Sequence, residues 1–160
     1  MDKLIEQALD YQLWLKYAVK YPLLALLALL WLGFILDLIS FRTLRRFFGI
    51  QPRHFLRLPT IFTAPFFHVD IAHLLSNSIP LAIMGFLSAN LLPLKQYLLL
   101  LFIATLGSGF GVWLFGRNAI TLGASGIVFA LLGFLLANAV FMRDQWALYS
   151  AIAALLLYGG

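Results

Sequence analysis

The chain contains no cysteine, which excludes disulfide frameworks, thiolate zinc sites and cysteine nucleophiles and leaves the redox compartment open. Charge is almost as scarce. Lysine and arginine number 11 and aspartate and glutamate 6, together 11% of 160 residues, where soluble domains carry about a quarter. With 63% hydrophobic residues and a mean hydropathy of +0.97, this scarcity excludes a soluble globular fold and predicts an all-α, polytopic membrane helical bundle. The formal net charge of +5 does not point to nucleic acid, because the basic residues sit in short segments between apolar runs, a placement suited to lipid headgroups. Met1 to Asp10 mixes charges without a short apolar core, so no cleavable signal peptide is expected.

Residues 1–20 place Leu4, Ile5, Ala8, Leu9, Leu13 and Trp14 at helical spacing among Lys3, Glu6, Asp10 and Lys16, the pattern of an amphipathic helix lying on the membrane surface. Residues 21–160 read as one transmembrane domain. Its spans are expected at 21–39, 71–91, 93–115 and 124–142, each close to the ~20 residues that cross a hydrocarbon core. A fifth begins at Trp146 and has only about fifteen residues before Gly160, which makes four complete spans and a partial one. Between the first two spans, Arg42, Arg45, Arg46, Arg53 and Arg57 interleave with Phe41, Leu44, Phe47, Phe48, Phe55 and Leu56, as in an interfacial loop or pair of short helices with snorkelling arginines. Basic residues fall almost evenly on the two sides of this topology, so the positive-inside rule leaves the orientation open.

Two polar stretches interrupt the apolar background. In FFHVDIAHLLSNS (66–78), His73 and Asn77 are four apart and share one helix face, with Asp70 an N-cap candidate and His68 at the span's outer end. In LGASGIVFALLGFLL (122–136), Ser125 lies between glycines two residues before and one after it. The run from Ile127 to Met142 covers only about 24 Å at 1.5 Å per residue, less than the ~30 Å core, which recesses Ser125 below one interface. Each stretch has a structural reading too: polar side chains bond across helices, and small residues let helices approach. Taken together, a recessed hydroxyl at a helix start, with free N–H groups around it and His73 and Asn77 aimed at the same point, suits attack on a carbonyl whose oxyanion those donors stabilise.

With HxxxxHxxxN in the second span (His68, His73, Asn77) and GxSG opening the fourth (Gly123, Ser125, Gly126), residues 20 to 160 resemble the rhomboid intramembrane serine proteases. The resemblance implies a rhomboid-like helical bundle in which Ser125 is the nucleophile. His73, Asn77 and the Ser125 N–H would form the oxyanion hole, His68 would support the cavity, and Gly123 and Gly126 would supply the motif backbone. It implies substrates that are transmembrane segments of other membrane proteins, the lipid bilayer as the other partner, and no metal or cofactor. Gly107, Gly109, Gly111 and Gly133 are expected to permit tight packing of the third and fourth spans.

The family's general base is a histidine on a sixth span, whereas this sequence has histidine only at 54, 68 and 73. The base histidine is therefore expected to be absent from the chain and the chain to be inactive alone, either as a C-terminally truncated protease or as a naturally shortened relative that binds membrane helices without cutting them. A fragment of a transporter is a more distant alternative. Compact architecture without targeting segments suggests the bacterial inner membrane.

Overall fold

A computed structural model describes residues 20–142 together with Tyr149 and Ile152. Four long helices carry the fold: α1 (Lys20–Ile39), α3 (Ile71–Leu91), α4 (Leu94–Phe115) and α5 (Ser125–Met142), with a short α2 (Leu44–Phe48) between the first two. All four are long and apolar enough to cross a membrane, and their ends agree with the expected spans to within a residue. The amphipathic helix expected over 1–20 and the fifth span from Trp146 fall outside the described residues, apart from helical backbone at Lys20, Tyr149 and Ile152.

Helix α5 is the centre of the bundle. It packs against α3 and α4, and α3 packs in turn against α1. Leu131 and Leu135 of α5, Leu74 and Leu81 of α3 and Leu30 of α1 are wholly buried in one core. Opposite faces stay apolar, as Leu98, Leu99, Phe102 and Ile103 of α4 illustrate, because lipid, unlike water, imposes no polar exterior.

Helix α1 ends in a Schellman turn: Phe41 N–H donates to Leu38 O at 3.1 Å and Arg42 N–H to Asp37 O at 2.7 Å, with Phe41 at φ 53° and Arg42 at φ 65° where glycine is usual. This reversal brings Arg45 back to Asp37, whose carboxylate accepts from the Arg45 backbone N–H at 2.9 Å and from its Nε at 2.8 Å. The 3₁₀ segments Phe55–Phe62 and Ala64–Phe66 follow. The loop arginines expected to snorkel are instead largely engaged with protein carbonyls. Arg42 and Arg45 donate to Val69 O, Arg53 to Gly116 O at 2.9 Å, and Arg57 to Arg46 O and Phe47 O at 2.8 and 2.6 Å. They hold the loop against the starts and ends of the spans.

The glycines behave differently from expectation. A Cβ on Gly109 would meet Ile61 of the loop, not α5, while Gly107, Gly111 and Gly133 have open space around them among the described residues. The close α4–α5 approach occurs at Gly126, where a Cβ would stand 2.7 Å from Ser108 Cβ.

Candidate active site

Asp70 starts α3. Its side chain accepts from the His73 backbone N–H at 2.7 Å, satisfying one of the helix's orphan donors. One turn on, Asn77 Nδ2 donates to His73 O at 2.8 Å, leaving a second N–H on that amide uncommitted. Asn77 is buried, and its Oδ1 has no hydrogen-bond partner.

The loop into α5 meets this face. Gly123 has φ +104°, and a Cβ built there would lie 2.9 Å from His73 Cε1, 3.0 Å from His73 Nε2 and 3.7 Å from Asn77 Nδ2. The expected face of α3 and the glycine two residues before Ser125 are thus in contact. Gly123 N–H donates to Ala64 O at 3.1 Å, and wholly buried Ala124 anchors the next residue in the core. Neither the Ser125 nor the Gly126 backbone N–H has a hydrogen-bond partner among the described residues, and the Ser125 hydroxyl, half-buried, has none either. Free donors at a helix N-terminus favour an oxyanion.

On the far side of Ser125 is a small cavity of about 40 Å³, lined by Thr105, Ser108, Gly123, Ser125 and Gly126 together with apolar groups of the loop. It is large enough for a water. Ser108, whose hydroxyl donates to Ala104 O at 2.6 Å, and Thr105 were not legible as neighbours of Ser125. Their only sequence signal was a pair of hydroxyl residues three apart on one face of an otherwise apolar helix.

His68 does not line this cavity. It is wholly buried with its ring edge-on to His73 at 5.1 Å, and neither ring nitrogen has a hydrogen-bond partner. Burial lowers its pKa from the usual 6.5 to about 4; the neighbouring His73 adds to the lowering, and the Phe66 backbone partly opposes it. Between these two values the unfolded chain takes up a proton that the folded chain refuses, so stability is full above pH 6.5 and falls as pH drops towards 4. Acidification from about pH 7 to about pH 4.5 should lower the thermal midpoint by several degrees more in the parent than in His68→Gln. Equal declines in the two would remove His68 as the cause. His54 is exposed in the loop, and its carbonyl accepts from the Trp113 indole at 3.1 Å. Among the described residues no cluster of histidine and acidic side chains could hold a metal ion.

The fold and site define a polytopic membrane protein in which the glycine two residues before a helix-starting serine lies close to a histidine–asparagine pair. The Rhomboid domain family model matches residues 55–159, and the chain belongs to the rhomboid family. It is similar to uncharacterized proteins of Mycobacterium tuberculosis (strain ATCC 25618 / H37Rv) and Mycobacterium bovis, each 34% identical over 118 residues, 70% of this chain and 49% of theirs. A Mycobacterium leprae protein, also uncharacterized, is 33% identical over 103 residues, 61% of this chain and 40% of its own. The chain spans about half the length of the curated relatives it matches. No solved structure matches it.

Proposed function

We propose that the chain carries the nucleophile and the oxyanion-binding groups of a serine endopeptidase that cleaves peptide bonds in or near transmembrane segments of other proteins. The observation that carries this reading is the closeness of His73 and Asn77 to Gly123, where a Cβ would stand 2.9 and 3.7 Å from them, in the peptide leading into Ser125. In the proposed reaction Ser125 Oγ attacks the scissile carbonyl. The developing oxyanion accepts from the Ser125 backbone N–H, the free N–H of Asn77 and an N–H of His73. The amine leaves with a proton and water hydrolyses the acyl-enzyme. Both proton transfers need a base that none of the three histidines supplies on this reading, so the chain by itself is proposed to be catalytically silent. A helical substrate in lipid already has its backbone groups paired, and must unwind locally before a carbonyl can reach Ser125. The bacterial inner membrane is the proposed location, in keeping with the mycobacterial relatives.

Added imidazole, a diffusible base, tests the assignment. The purified chain in nanodiscs should react slowly with a fluorophosphonate probe and at least about tenfold faster with imidazole, since general-base catalysis contributes roughly 10²–10⁴ when well placed. Ser125→Ala should abolish the reaction, and Asn77→Ala should slow it by about 10²-fold, the effect of losing one oxyanion donor. Labelling that survives Ser125→Ala would sink the nucleophile. The second reading is a membrane-helix-binding pseudoprotease, favoured by the lack, among the described residues, of a hydrogen-bonded base at Ser125. Absent labelling in a folded chain that still binds transmembrane peptides would select it.

A further inference from the structure

Beyond α4 the chain forms an open groove of about 410 Å³ lined by Val69, Arg117, Ala119, Ile120, Thr121 and Leu122. Its floor runs directly into Gly123 and Ser125. Thr121 pairs with Ile50 through two backbone hydrogen bonds of 3.0 and 2.9 Å, which ties this floor to the loop. Val69, on the opposite wall, is fixed by Arg42 and Arg45 and adjoins His68 and the Asp70 cap. The groove therefore joins the two halves of the candidate site.

Its one charged lining residue is Arg117. Arg42, Arg45, Arg53 and Arg57 direct their guanidinium groups at carbonyls or at Asp37; Arg117 is exposed, and its guanidinium has no hydrogen bond or ion pair among the described residues. Arg53 already satisfies the Gly116 carbonyl at 2.9 Å, so the end of α4 makes no demand on its neighbour. Among the described residues no carboxylate lines the groove. An uncommitted guanidinium in an apolar groove offers a bidentate partner for a carboxylate.

We propose that Arg117 selects an acidic side chain on the extended segment of a substrate as it passes along this groove to Ser125. The proposal rests on the protease reading for its direction of travel. The occupant is a peptide and not a lipid headgroup on this reading because the lining segment runs on along the chain from Leu122 into Gly123 and Ser125.

Binding tests this without catalysis. Three transmembrane peptides, identical except for Glu, Gln or Lys in the segment flanking a glycine–alanine break, are titrated into the 160-residue chain in zwitterionic nanodiscs. The Glu peptide should bind about fivefold tighter than the Gln peptide, the upper range for a partly exposed ion pair, and the Lys peptide more weakly than either. Arg117→Gln should erase the Glu preference, Arg117→Lys should keep part of it, Arg46→Gln should leave it intact, and raised salt should shrink it. A Glu preference that survives Arg117→Gln, or no preference at all, overturns the proposal. So does an Arg117→Gln defect that appears only with anionic lipid and is equal for all three peptides, which would assign the arginine to headgroups. The preference is also measured on Ser125→Ala. Failed fluorophosphonate labelling with an intact preference would remove the nucleophile and leave the acidic selection standing in a binding protein.

Discussion

Gly123→Ala should lower imidazole-assisted labelling of Ser125 by about 10²-fold or more, the scale seen when reacting groups are displaced by about 1 Å. Two independent effects act there. Alanine at φ +104° adopts a backbone conformation that L residues avoid, at a cost of about 1–3 kcal/mol. Its methyl would also stand 2.9 to 3.0 Å from the His73 ring, too close for carbon. The loop cannot yield, because Gly123 is tied to Ala64 O and Ala124 is wholly buried, so the imidazole must move. The double variant Gly123→Ala/His73→Ala separates the effects: it relieves the clash and retains the strain. Its thermal midpoint should exceed that of Gly123→Ala. A double variant less stable by the sum of the two single losses would show that alanine and His73 do not collide.

Removing Arg45 should produce the largest loss of stability. Asp37 is wholly buried, and Arg45 supplies both a backbone and a side-chain donor to it. In Arg45→Met the backbone bond can persist, but the carboxylate loses its only counter-charge among the described residues. Breaking a buried pair from one side costs about 3–5 kcal/mol. Asp37→Leu/Arg45→Met should recover most of that loss, since an apolar pair of similar volume leaves no charge stranded. Arg45→Lys should be intermediate, keeping charge without the planar fork that reaches Asp37 and Val69 O together. Denaturant titration in detergent checks all three. If the double variant is no more stable than Arg45→Met, the stranded carboxylate is not what the single variant suffers from.

The spans were legible because each is a predominantly apolar run of helical length. The α3 face was legible for a local reason. Asp70, His73 and Asn77 lie three and four residues apart, and helical geometry alone aligns them. That this face and the stretch around Ser125 share one site was expected from their matching chemistry and from the family resemblance, since no spacing rule links residues fifty positions apart. The loop arginines were misjudged because a guanidinium near a membrane edge suits a headgroup or a carbonyl equally by composition. Only the turn after Ile39 decides which is closer. The glycines fared similarly: Gly109 and Gly111 look alike in sequence, yet one is pressed by Ile61 and the other faces open space.

Hydropathy by itself determined the solvent, the number of described spans and their ends, because each depends on residues adjacent in the chain. Tertiary structure decided how each helix is rotated, which glycines are crowded, where the arginines anchor and which hydroxyls lie beside Ser125. The physical reason is the solvent: lipid accepts apolar side chains as readily as the core does, so helices such as α4 and α5, with apolar residues spread over every side, carry little pattern that says which face turns inward.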